Sequence, residues 1–179
     1  MTRIPYVDPA EAPDKVREAL DALPPLNIFR TLAHAESVLR PSLRFGGAIL
    51  GRLELDPVLR ELAILEVARQ TDAEYEWVQH VAIGESVGVS DGQITALESG
   101  DTSALGQAER LVVEFTDAVV GGPRVEDGLF ERLRRAIGDR QIVELLLAIG
   151  FYWTLARVMT VVEIDPDPPA GAGFIAELG

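Results

Sequence analysis

Cysteine is absent from this chain of 179 residues. Its absence excludes disulfides, thiolate nucleophiles, cysteine–zinc sites and any thiol redox cycle. Histidine occurs only at His34 and His80, so no multi-histidine metal site is expected, and no metal or other cofactor. Lys15 is the sole lysine among 16 basic residues, which leaves one poorly placed candidate for Schiff-base chemistry. Acids number 29, for a formal net charge of −13. Such a field repels phosphate backbones, so nucleic acid is not an expected partner, nor is a polybasic membrane contact. The N-terminal residues Met1 to Tyr6 lack a basic stretch followed by an apolar one, so no export signal is read there and a cytoplasmic location is expected. The apolar stretch Ile142 to Val162 is interrupted by Glu144 and Arg157. A bilayer span wants about 20 consecutive apolar residues, so this stretch reads as a buried core helix and no membrane is expected. No segment alternates apolar and polar residues long enough for a strand, and no Gly-rich phosphate loop or nucleophile elbow occurs.

What is present is helical spacing. The reading is all-α, about eight helices in a single domain. Residues 12–23 form a helix stopped by Pro24-Pro25. Residues 27–35 make one or two turns, and 36–50 continue with a kink or a fresh first turn at Pro41. Asp56-Pro57 is a capped start, with Pro at the first helical position, for a helix to Thr71. A turn at Asp72 leads to a helix over 73–87, closed by Gly88. Ser90 and Gln93 form a capping box for a short helix to Leu97. Helices over 105–120, 125–137 and 139–162 follow, the last two parted by Gly138. The organisation is an N-terminal extension (1–35), a helical domain (36–163) and a Pro/Gly-rich tail (164–179), which is expected to pack on a partner through Phe174 and Ile175.

Two helices carry groups with chemistry. On 57–71 the stripe Val58, Glu61, Leu65, Ala68 is apolar except for Glu61, which therefore points inward. Glu66 beside Arg69 reads as a surface pair. A carboxylate in an apolar stripe must be bonded or protonated, and burial raises its pKa. Glu61 is expected either to work on protons or to have a structural part, meeting an Arg such as Arg157 or capping a helix. On 73–87 the inward stripe is Glu76, Trp77, His80, Ile83, Gly84 and Val87, with Glu74, Val78, Gln79, Ala82 and Glu85 opposite. An acid and an imidazole one turn apart suit proton transfer near neutral pH. The plainer alternative is a core histidine bonded to Glu76.

Hairpin arithmetic joins the two helices. Glu61 lies 11 residues before Asp72 and His80 lies 8 after it. At about 1.5 Å per residue these are roughly 16 and 12 Å from the turn, so Glu61, Glu76 and His80 can share one pocket. His34 reads as structural. Arg157, in an apolar run, is either a bidentate carboxylate clamp or half of a buried ion pair. Asn27, after the proline pair, is either a cap or a pocket amide.

At these same residues the sequence resembles a known family. Arg60-Glu61-Leu62-Ala63-Ile64-Leu65, then Ala73-Glu74-Tyr75-Glu76-Trp77-Val78-Gln79-His80, then Gly88-Val89-Ser90 and Gln93-Ile94, are similar to the core of the carboxymuconolactone decarboxylase family. That family shares the helical fold of the AhpD-type alkylhydroperoxidases. In the peroxidase branch the motif is Cys-x-x-Cys, with a His four residues after the second Cys and a Glu twelve before the first. Those positions are here Ala73, Glu76, His80 and Glu61. Both sulfurs are missing and both proton-handling groups remain, so thiol peroxide reduction is excluded.

The resemblance to the decarboxylase branch implies a cofactor-free lyase or isomerase acting on a small carboxylated lactone or related enolisable metabolite. His80 would then be the acid that protonates a dienolate, and Glu61 would orient it. Glu76 would complete the relay or repel the departing carboxylate. Tyr75, Trp77, Arg157 and Asn27 would line the substrate site. The family also implies a homo-oligomer, trimer or hexamer, with a dimer possible. The competing reading is a non-catalytic helical oligomer that binds a ligand or partner, derived from a peroxidase scaffold.

Overall fold

The computed structural model describes residues 2–173. Among these residues the chain forms eight α-helices and no strand. They are α1 (Asp14–Asp21), α2 (Asn27–Leu32), α3 (Glu36–Arg52), α4 (Pro57–Gln70), α5 (Glu74–Val87), α6 (Asp91–Ser99), α7 (Gln107–Gly121) and α8 (Asp127–Val162). A single 3-10 turn, Thr102–Ala104, precedes α7.

Local chemistry sets most boundaries. The Asp56 carboxylate accepts from the backbone N–H groups of Val58 (2.8 Å) and Leu59 (3.2 Å), and Pro57 follows at the first helical position. Two of the free donors at the start of α4 are thereby satisfied. Asp72 takes a left-handed φ of 52° in the turn to α5, a conformation Asp tolerates better than most side chains. Gly88, at φ 108°, closes α5, where a Cβ would be strained. Ser90 and Gln93 make the reciprocal capping box. Pro41 sits inside α3, with helix on both sides of it. Gly138, at φ 81° and ψ 168°, breaks α8 into the two pieces its sequence predicts.

α4 is the central element, packed by α5, α6, α7 and α8. Ten consecutive residues, Leu59 to Ala68, are buried. The main core joins Ile49, Ile64, Val112, Phe115, Leu145 and Ile149. A second cluster sets Val16, Leu20 and Phe29 of the N-terminal helices against Leu39, Tyr75 and Met159. The inner side of α8 supplies Ile142, Leu145, Ala148, Ile149, Tyr152, Ala156 and Met159, at spacings of three and four residues. The stretch expected to be a buried core helix thus buries one side only, and its length and composition also suit a membrane span. Phe174 and Ile175 lie outside the described residues.

The burial of α4 corrects one reading. Glu66 is not on the surface: it is 1% exposed, and its carboxylate is bonded by Arg69 at 2.6 and 2.9 Å and by Gln70 at 3.1 Å. A stripe argument assumes one wet face, and a helix surrounded by four others has little of one.

Candidate functional site

The α4–α5 hairpin brings Glu61 and His80 together as its register predicts. Glu61 is fully buried, and its Oε2 accepts from His80 Nδ1 at 2.8 Å. A carboxylate can only accept, so the imidazole carries its proton on Nδ1. That leaves Nε2 to face whatever the adjoining cavity holds. Close approach of the helices depends on Gly84: a Cβ there would sit 3.2 Å from the Val89 side chain and 3.6 Å from Glu61 Cβ.

The other Glu61 oxygen, Oε1, accepts from Arg60 Nε at 2.8 Å. Arg60 is itself buried, and its second donor reaches the carbonyl of Leu50 at 2.8 Å. Arg60 therefore takes the part that the sequence offered to Arg157. The result is a buried chain from guanidinium to carboxylate to imidazole, in which each member is held by the next. Tyr152 of α8 presses on the imidazole edge-to-face, with ring centroids 4.6 Å apart. Burial, then the charges of Glu61 and Glu76, hold the Tyr152 phenol well above its ordinary pKa, so it stays neutral.

Glu76 behaves differently from its neighbours. It is buried, and neither carboxylate oxygen has a hydrogen-bond partner. It is not bonded to His80, which is turned to Glu61 instead. Burial first, and then the Glu61 charge, push the Glu76 carboxyl well above the usual carboxylate range. Both influences favour its protonated form, which is able to donate.

Glu76, His80 and Tyr152 share the wall of a cavity of about 90 Å3. The rest of the lining is largely aliphatic and aromatic: Leu26, Ile28, Phe29 and Leu32 from α2 and its lead-in, Leu43 and Gly46 from α3, Phe151 and Leu155 from α8. Tyr75 lines it too, and so does Gln79, which the sequence assigned to the outer side of α5.

The signal missed for Gln79 lies far along the chain. Its amide donates to the carbonyls of Asp167 (3.2 Å) and Pro168 (3.1 Å) and accepts from the N–H of Ala170 (3.0 Å). Tyr75 donates its hydroxyl to Asp167 at 2.6 Å. Asn27 donates its backbone N–H to the same carboxylate at 2.6 Å, and its side-chain amide reaches Asp167 Oδ1 and the Asp165 carbonyl. The segment after α8 is thus strapped beside the cavity by groups from α2 and α5.

Three residues expected around a substrate lie elsewhere. Asn27 is a strap anchor and does not line the cavity. Trp77 packs against Ala68, Ala73 and Ala156 and against the cluster that holds Leu62 and Leu65, and it does not line the cavity. Arg157 is exposed, with its guanidinium 5.6 Å from the Trp153 ring centroid. One residue's rotation about the helix separates Trp77 from Glu76, and α8 offers Tyr152 and Ala156, not Arg157, to the interior. His34 is exposed and bonded through Nε2 to the Pro5 carbonyl at 2.7 Å. Among the described residues no group of three His, Asp or Glu is placed to hold a metal ion.

The helical body has the AhpD-like fold. An uncharacterized peroxidase-related protein from Ralstonia eutropha JMP134, described as an alkylhydroperoxidase AhpD core, superposes with a TM-score of 0.80 at 21% identity, over 93% of this chain and 92% of that one. An uncharacterized peroxidase-related protein from Silicibacter sp. TM1040 gives 0.73 at 20% identity, over 92% and 90%. At such identities the likeness is one of fold.

Residues 37–118 match the model of the Carboxymuconolactone decarboxylase family. The uncharacterized protein YnjA of Escherichia coli (strain K12) is 28% identical over 115 residues. That match spans 63% of this chain and 63% of YnjA, less than two thirds of the relative's length. The chain itself has no cysteine, so it carries the fold without the thiol chemistry of a peroxidase.

Proposed function

We propose that this protein is a cofactor-free acid–base catalyst that moves a proton at a carbon next to a carbonyl, in a lyase or isomerase reaction on a small enolisable molecule. The observation that carries this reading is the Glu61–His80 hydrogen bond, made by an imidazole on the wall of a mainly apolar cavity. An oriented imidazole is a competent general acid or base near neutral pH, and Glu61 steadies the charge it acquires.

In the lyase form, a carboxylated lactone loses CO2. The C–C bond breaks, its electron pair passes into a dienolate, and His80 delivers one proton to carbon. In the isomerase form, His80 removes a proton from one carbon and returns it to another. Glu76, neutral and unbonded, is able to stabilise the enolate oxygen in either case. A non-catalytic ligand-binding oligomer would leave Glu76 and His80 bonded to each other in a filled interior. The cavity and the unbonded Glu76 support catalysis instead.

The test is deuterium incorporation in D2O from a panel of carboxylated lactones and uncharged enones, read by NMR. On whichever compound exchanges or decarboxylates, His80→Ala should lose about 100- to 10,000-fold in rate with its melting transition retained. Glu61→Gln should lose rate as well, because an amide cannot balance an imidazolium. Full turnover in both variants would refute the assignment.

A further inference from the structure

The make-up of the cavity wall narrows the substrate. Among the described residues neither arginine nor lysine lines it. The nearest guanidinium on the chain of contacts, Arg60, is committed to Glu61 and to the Leu50 carbonyl. Tyr75 and Gln79 have turned their polar ends to the C-terminal strap. A carboxylate entering here would face Glu76 and, behind His80, the charge of Glu61. It would find no arginine or lysine to receive it, and the one group there that can become a cation, His80, is already balanced by Glu61, so the charge would be buried at a high cost. An apolar body, by contrast, meets Leu26, Phe29, Leu43, Phe151 and Leu155.

The remaining feature is Glu76. Buried polar groups in folded proteins are nearly always bonded, yet Glu76, a residue of the cavity wall, leaves both carboxyl oxygens unpartnered. Burial and the neighbouring Glu61 favour its protonated form.

We propose that the cavity takes a small, uncharged, mainly apolar molecule with a carbonyl oxygen, and that the Glu76 carboxyl donates its O–H to that oxygen. The inference rests on the acid–base reading for its place in catalysis, and it selects the isomerase form over loss of CO2. It does not need turnover to be tested.

The probes are cyclohex-2-enone, cyclohexanecarboxylate and cyclohexene, titrated into the full chain at neutral pH by calorimetry and ligand-observed NMR. The enone should bind, and its C=O stretch should move to lower frequency in the bound state. Cyclohexanecarboxylate should not saturate at concentrations at which the enone does. Glu76→Gln keeps an N–H donor and should hold the enone within about threefold of wild type, whereas Glu76→Leu should bind it about tenfold more weakly, with the stretch unshifted.

Tighter binding of the carboxylate, wild-type affinity and stretch in Glu76→Leu, or no binding of the enone by wild type would each overturn the proposal. If Glu76→Leu does not fold, the wild-type comparison of enone with carboxylate and the infrared shift still decide. Enone binding without any proton exchange would sink the catalytic reading and leave this one standing. Turnover confined to carboxylated compounds would do the reverse.

Discussion

Glu76 makes stability depend on pH in a direction that can be worked out. Its carboxyl is raised by burial and by Glu61, so the folded chain keeps a proton that the unfolded chain releases in the ordinary glutamate range, near pH 4.3. Through that window the native state binds more protons than the unfolded one. Stability therefore falls as pH rises toward the folded-state value, and the cost is complete above it. Glu76→Gln has no proton to lose. Its melting temperature relative to wild type should climb with pH, and by pH 8 it should stand at least about 2 °C higher, the shift that 1 kcal/mol gives in a domain of this size. Parallel melting curves for the two proteins from about pH 5 to 9 would show that Glu76 is not the group responsible.

At the scale of elements, the catalytic geometry is a property of the α4–α5 hairpin. Its register brings Glu61 opposite His80, and Gly84 lets the helices close. Gly84→Leu would drive a branched side chain into Val89 and Glu61. The expected cost is about 1–3 kcal/mol, read as a lower denaturant midpoint at unchanged slope, with loss of exchange activity as His80 is pushed from Glu61. A variant with wild-type midpoint and rate would mean that the hairpin tolerates separation.

Much of this hairpin was legible in the sequence. Asp56-Pro57, the turn at Asp72 and Gly88 are local signals, and counting from the turn sufficed to set Glu61, Glu76 and His80 at similar heights; that His80 turns to Glu61 and not to Glu76 is a matter of packing. The same method failed for Glu66, Trp77 and Gln79. Their surroundings are supplied by α6, α8 and the strap, and a helix's own spacing does not say which neighbours cover which side.

At the scale of the whole molecule, the outer side of α8 carries Val143, Leu146, Leu147 and Trp153, which are 57%, 40%, 47% and 43% exposed. Positions 143, 146, 147, 150 and 153 share one face at helical spacing. We propose this stripe as the surface for the homo-oligomer expected from the family resemblance, since a second copy laid against it would bury both, as in two-fold interfaces. Sedimentation should show a species heavier than the 19.4 kDa monomer. Leu147→Glu should shift it to monomer without unfolding it, and an unchanged mass would exclude this face.

The sequence by itself determined the helical class, the exclusion of thiol chemistry and the placing of Glu61, Glu76 and His80 at one height of a hairpin, because each depends on composition or on spacing within about 20 residues along the chain. Only the tertiary structure decided that Arg60 holds Glu61, that Glu76 stands unbonded in an uncharged cavity and that Asp167 fastens Tyr75, Gln79 and Asn27. The electrostatics of a buried group is set by everything packed around it. Here that packing comes from segments as much as 140 residues apart, which no local pattern records.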